Sequence, residues 1–352
     1  MNRRGISLAY SELTEKPALA RRAEDAGFDL VWNSGESIPL FGAIAQTTER
    51  TRFGPGVIRA FAHEPRELAQ AAADLQRLSG NRFVMGLGGG TKRMNINQLG
   101  QEFDRPATRI RELIRVLRLA WSTPTDEPLD FHGTYYQLFG RGLAGSGDIP
   151  AGMGLGGGEA PPAPADTPIY LAAVNRAMLR LAGERCEGLC GHPIASVRFM
   201  EEVAWPAIDE GLARAGRSRA DFDHNAWIVT AIAEDREQAA REAKYHIGRF
   251  MATRSYAIIL DSQGYEDVRA RIQDAFFNHQ DDPQALVDAV PDEVARDHAI
   301  YGTPDEVREQ AQRYEGVVPT STFYCASALM SRERIRENLG LMIETFSPNG
   351  AA

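Results

Sequence analysis

Short apolar runs alternate with longer stretches in which apolar residues recur at helical spacing, and the alternation persists along nearly the whole chain. In the first third, Ile6–Ala9, Phe28–Trp32, Arg52–Ile58 and Phe83–Leu87 read as strands. Between the first two, a helix is predicted with Pro17 in its first turn, Leu19, Ala23 and Ala26 on one face, and Gly27 as its stop. Pro39–Thr48 is the second helix. The third starts at Pro65, carries Leu68, Ala72, Leu75 and Leu78, and ends at Gly80. The strongest helical pattern follows: Asp104 is the expected N-cap, Pro106 lies in the first turn, and Ile110, Leu113, Ile114, Leu117 and Trp121 share one buried face.

Leu129–Leu138 reads as a small hairpin around His132-Gly133. From Phe139 to Thr167 the chain turns into Gly, Pro and Ala with little else, a composition without a core-forming pattern. A flexible insertion is expected at 139–167, either a lid or a disordered loop. Alternation then resumes with strands at Ile169–Ala173, Gly188–Cys190, Ala226–Ile232 and Thr320–Cys325. Helices are expected at Arg176–Gly183, at Ser196–Ala215 with Met200, Val203, Ile208 and Leu212 inward, and at Arg332–Phe346. Residues 235–313 read as a mostly helical insertion broken near Gly264 and Pro291. Eight strands alternating with helices give an α/β class, a (β/α)8 TIM barrel forming a single domain over 1–352. The Gly/Pro-rich insertion precedes its fifth strand and the helical insertion its eighth. A doubly wound open sheet is the runner-up.

Composition narrows the function classes. Lys plus Arg number 39 and Asp plus Glu 48, for a net charge of −9, so a general nucleic-acid binder is disfavoured. A local basic pocket for an anionic cofactor stays open. No apolar run approaches the roughly 18 residues of a membrane span, and the apolar run after Arg4 is too short for a signal peptide. Three cysteines, Cys186, Cys190 and Cys325, do not make a disulfide framework, and a cytoplasmic location is expected.

In a barrel the chemistry sits at the C-terminal strand ends. That rule nominates Tyr10, Asn33 to Glu36, Val57 to Arg59, Gly88 to Lys92, Val174-Asn175 and Gly191-His192. Gly86-Leu87-Gly88-Gly89-Gly90-Thr91-Lys92 fails as a dinucleotide fingerprint and as a Walker A loop, because Thr91 and Lys92 stand in the wrong places. It reads either as a plain tight turn or as a strand end stripped of side chains, where a flat ligand can approach the backbone. Gly54-Pro55-Gly56-Val57 permits a bulge in the third strand, or an ordinary kink. Asn175 reads as an N-cap, with Arg176 and the free N–H groups beyond it also suiting an anion. Cys186, Cys190 and His192 lack the spacing of a zinc site and read as buried thiols, with His192 still a candidate proton donor. His63 precedes Glu64-Pro65 and reads as a residue near a helix start. Neither a Gly-x-Ser-x-Gly elbow nor a His-Glu-x-x-His pair occurs, so hydrolase chemistry finds no support.

From Gly27 to about Trp121, and from Pro168 to Gly216, the chain resembles the bacterial luciferase-like oxidoreductases. The carriers are Ala26-Gly27-Phe28-Asp29-Leu30-Val31-Trp32, Thr48-Glu49-Arg50-Thr51-Arg52-Phe53-Gly54, the stretch from Leu75 to Gly88, and Phe103-Asp104-Arg105-Pro106 with Arg109 and Glu112. Pro168 to Asn175, Leu181-Ala182-Gly183-Glu184 with Gly188, and Gly302-Thr303-Pro304-Asp305-Glu306-Val307 are most similar to its deazaflavin (coenzyme F420) branch. The resemblance implies a third-strand bulge with a cis peptide, here Gly56-Val57, backing the cofactor ring. It implies anchoring by Gly88, Gly89, Thr91, Ala173, Val174 and Asn175, with Gly191 and His192 nearby, and a homodimer. The implied function is F420-dependent hydride exchange with an organic small-molecule substrate, with the 139–167 insertion as a lid. The alternatives are an FMN-dependent monooxygenase and a cofactor-binding barrel without redox turnover. Relatives often carry an acid followed by His after the second strand. This chain offers only Glu36 there, and many relatives have Glu where Thr91 falls, so Glu36 and His192 are the candidate catalytic residues.

Overall fold

The computed structural model describes residues 2–124, 127–143 and 167–348. Twelve strands are present among them: β1 Arg3–Ser7, β2 Leu30–Asn33, β3 Arg52–Pro55, β4 Ile58–Arg59, β5 Met85–Gly88, β6 Pro128–His132, β7 Gln137–Arg141, β8 Ile169–Ala172, β9 Gly188–Cys190, β10 Asp223–Ile232, β11 Ala299–Gly302 and β12 Thr320–Cys325. The main sheet runs β3-β2-β1-β12-β10-β9-β8-β5-β4, and every pairing in it is parallel. Its two end strands, β3 and β4, are the halves of one interrupted strand. β3 pairs with β2 and β4 with β5, so the ring closes through residues 52–59. This is the expected TIM barrel.

The apolar runs locate these strands because a barrel strand is covered on both faces and carries little polar alternation, but the first runs Arg3–Ser7 rather than Ile6–Ala9, its polar start being paired with β12. All ten residues of β10 are buried. The interruption falls at Gly56-Val57, whose peptide bond is cis, as the resemblance implied. A side chain at 56 would meet the Trp227 ring at 2.3 Å, so the crossing of the bulge over the barrel interior requires glycine.

Several motif residues hold the frame. Buried Glu24 accepts hydrogen bonds from the backbone N–H groups of Glu49, Arg50 and Thr51 ahead of β3. Arg82 donates to the carbonyls of Ala45, Thr48 and Thr51, tying the same turn to the entry of β5. The helix Pro65–Ser79 is capped by Glu64, which accepts from the N–H groups of Arg66 and Glu67, and it stops at Gly80 with φ +64°.

Three local expectations are corrected. Asp104 does not cap the helix Pro106–Ser122; Arg105 occupies that position, and the Asp104 carboxylate instead accepts from Arg105 and the Tyr135 hydroxyl. The helix after Ser196 is not uniform: Met200–Ala204 is a π-helical stretch leading into Trp205–Arg214. Pro206 sits at that junction, lacks an N–H and crowds the preceding turn, which accounts for the widening. Within the largely helical 235–313 stretch, β11 adds a parallel strand to β10 beyond the end of β9. Four residues between helices carry too little pattern to show this. Phe139–Arg141 complete the β6–β7 hairpin. Residues 144–166, the rest of the expected insertion, lie outside the described residues. No helix among the described residues is long and apolar enough to cross a membrane.

Candidate active site

A cavity of about 540 Å³ opens at the C-terminal ends of the barrel strands. That volume lies within the range of small-molecule and cofactor sites. Gly56, Val57, Gly88, Gly89, Thr91, Ala173, Val174, Asn175 and Gly191 all line it, as does His192. The structure therefore brings together every backbone-rich strand end nominated from the sequence.

The wall formed by β4, β5 and β8 is nearly free of side chains. A Cβ at Gly88 would lie 2.6 Å from Val57 Cγ2, so glycine there is what lets Val57 stand at the cavity edge. Thr91 and Asn175 both cap helices with their side chains, accepting from the N–H groups of Met94 and Met178. Their helices, Lys92–Leu99 and Arg176–Arg185, thus start at the cavity, and their unpaired first-turn N–H groups favour an anion there. Lys92 lines the same side and is the only formally charged lining residue among those described. Sequence reading placed it at a strand end without giving it a role.

The rest of the lining is rich in rings: Tyr10, Trp227, Phe250, Tyr256 and Tyr324. None of these was singled out beyond Tyr10, because their ring contacts join residues far apart in the chain. Trp227 stands 5.5 Å from Tyr324, and Phe250 lies 6.4 Å from Tyr324, measured between ring centroids.

His192 packs against Tyr256 and Phe250, with centroids at 3.9 and 5.2 Å. Burial pushes its pKa down to about 3, so the ring is neutral at ordinary pH. Its Nδ1 accepts from the Ile194 N–H, which leaves the proton on Nε2. His192 is thus a hydrogen-bond donor and a poor store for an additional proton.

Glu36 is not among the cavity-lining residues. Its carboxylate is held by Arg59 Nε on one oxygen and by His63 Nε2, at 2.5 Å, on the other. A histidine from the turn before the helix Pro65–Ser79 thus reaches Glu36, though neither residue lines the cavity. The separation of 27 positions hides this from any local pattern. Asn33, at the end of β2, accepts from Lys16 Nζ at 2.5 Å. Cys190 lines the cavity, and burial raises its thiol far above the usual range.

Comparison with known proteins agrees with this geometry. The sequence profile of the luciferase-like monooxygenase family matches residues 1–321. A presumed coenzyme F420-dependent oxidoreductase of Mycobacterium tuberculosis is 33% identical over 92% of this chain and 93% of its own length. The 5,10-methylenetetrahydromethanopterin reductase of Archaeoglobus fulgidus is 28% identical, with 82% of each chain covered. Among solved structures, the coenzyme F420 dependent tetrahydromethanopterin reductase of Methanopyrus kandleri superposes with a TM-score of 0.77 at 22% identity, covering 98% of both chains. With a family match over most of its length and a barrel pinched at the third strand, the chain belongs to the luciferase-like monooxygenase family.

Proposed function

We propose that this protein is an F420-dependent oxidoreductase that exchanges a hydride between the deazaflavin and a small organic substrate. One observation carries the reading: the cavity joins a glycine-stripped wall, bearing Lys92 and two helix starts, to a ring-rich lining without charge. A flat, anionic cofactor fits that division. Its ring would lie against Gly56, Val57 and Gly88. Its phosphate would sit toward Thr91, Lys92 and Asn175, where backbone N–H groups and one cation meet it. The deazaflavin supplies the hydride chemistry when bound.

The chain's own groups orient the reactants and exclude water. His192, neutral and protonated at Nε2, would serve as a hydrogen-bond donor to a molecule bound near Gly191. Glu36, off the wall and tied to Arg59 and His63, fixes the rim between β2 and the helix Pro65–Ser79. The same reading takes the working unit to be a homodimer in the cytoplasm.

The test is titration of the purified protein with F420 and, separately, with FMN, followed by cofactor fluorescence. Micromolar F420 affinity with much weaker FMN binding is expected. The reverse preference would assign FMN chemistry instead, and affinity for neither would remove the redox reading.

A further inference from the structure

Neither Glu36 nor His192 is placed to serve as the proton source for a substrate in the cavity. Glu36 is bound to two cationic or hydrogen-bonding partners away from the wall, and His192 is a neutral ring lodged among aromatic side chains. The ring-rich lining holds a different device. Tyr324 donates its hydroxyl hydrogen to the Tyr10 hydroxyl at 3.0 Å, although the two are 314 positions apart in sequence. Both rings line the cavity. Tyr324 is 3% exposed and Tyr10 53%, so the pair links the interior to solvent. Ser34, also in the lining, hydrogen-bonds the Tyr324 phenol from the end of β2.

Tyr10 is held there deliberately by the backbone. Its φ is +67°, in the left-handed region that a bulky residue rarely adopts. That turn ends the first barrel strand and sets the Tyr10 ring edge-on to Tyr324 and to His246, with centroids at 6.1 and 6.3 Å.

We infer that Tyr324 exchanges the substrate's proton and that Tyr10 relays it to solvent, in a subsite for small uncharged carbonyl compounds or their alcohols. The substrate class follows from the lining itself. Among the described residues the cavity lining offers rings and hydroxyls but no Asp, Glu or Arg, and its one formal charge, Lys92, belongs to the helix start assigned to the cofactor phosphate. A charged substrate would be stripped of water against rings without a counter-ion, which is strongly unfavourable. A carbonyl oxygen instead finds a phenol donor once the Tyr324 O–H turns from Tyr10 to the substrate, Tyr10 then donating to Tyr324.

Written for reduction, the carbonyl carbon accepts the hydride supplied by the reduced deazaflavin and a C–H bond forms. The electron pair of the C=O π bond moves onto oxygen, and that oxygen takes the Tyr324 proton. Tyr324 recovers a proton from Tyr10, and Tyr10 from water. Oxidation of the alcohol runs the same steps backwards.

The inference rests on the F420 reading, and the test separates the two. F420 affinity is measured first for the wild type, Y324F and Y10F. Equal affinities within about 3-fold are expected, since neither tyrosine is among the groups assigned to the cofactor ring or phosphate; a wild type that does not bind F420 overturns the cofactor reading rather than the relay. On the F420-loaded proteins, binding of cyclohexanone and of its oxygen-free isostere methylenecyclohexane is then compared by ligand-observed NMR. The wild type should prefer the ketone by about 10-fold, the worth of roughly one hydrogen bond, and Y324F should lose that preference while binding the isostere normally. Oxidation of reduced F420 by cyclohexanone, followed by cofactor absorbance, should fall at least 100-fold in Y324F. In Y10F it should fall less, with a changed solvent isotope effect. Failure of the wild type to hold cyclohexanone, or a Y324F protein with unaltered ketone preference and rate, overturns the proposal.

Discussion

His192 shows how a residue's surroundings decide its chemistry. A histidine at a strand end reads from sequence as an acid–base group, because its ordinary pKa lies near neutrality. In the fold it is wedged between Tyr256 and Phe250, and burial disfavours the imidazolium, moving its pKa down to about 3. The His192 ring resonances in an NMR titration are therefore expected to stay fixed between pH 8 and pH 5. Movement with a midpoint near 6.5 would contradict the packing. His192→Phe keeps the ring contacts and removes the Nε2–H donor. It should weaken F420 binding by about 10-fold, the effect of one neutral hydrogen bond, with little change in thermal stability. Glu36 teaches the complementary lesson. Its type and position suit acid–base work, yet two partners from one neighbouring segment, Arg59 and His63, claim both oxygens.

At the scale of elements, the interrupted strand is the feature that matters most. β3 ends at Pro55 and β4 begins at Ile58, and the intervening residues turn inward between Trp227 and Gly88. Gly88 must lack a side chain for Val57 to occupy its place. Gly88→Ala puts a methyl group 2.6 Å from Val57 Cγ2, and that contact is relieved by pushing Val57 into the cavity. The expected result is cofactor affinity lowered at least 10-fold and stability lowered by about 1–3 kcal/mol, the usual cost of overpacking. Adding Val57→Ala removes the clashing methyl group and should restore most of the lost stability, measured by urea denaturation. A double variant no more stable than Gly88→Ala alone would show that the clash lies elsewhere. Legibility at this scale follows pattern length. The long strands and the helix Pro65–Ser79 carry enough periodicity to be read, whereas β11 and the π-helical stretch at Met200–Ala204 depend on their neighbours.

For the molecule as a whole, the buried histidines set the pH range of the fold. His224, His246 and His298 are at most 3% exposed, and burial lowers their pKa values to about 3, 3 and 4. The unfolded chain takes up these protons below roughly pH 6.5, while the folded protein does not. The stabilisation is therefore complete above pH 6.5 and is lost as the pH falls toward the folded-state values. Between pH 7 and pH 5 each histidine should remove about 2 kcal/mol of stability, seen as a clear drop in the urea midpoint. An unchanged midpoint would mean that these rings reach solvent or a proton-accepting partner. By itself the sequence determined the alternation of strands and helices, the barrel, and the glycine-rich strand ends, because each is written in residues close together in the chain. Only the tertiary structure decided which polar groups meet: Glu36 with His63, and Tyr10 with Tyr324 across the first and last strands of the barrel. Closing the ring brings β1 beside β12, and no periodicity within either strand records which hydroxyls will then face each other.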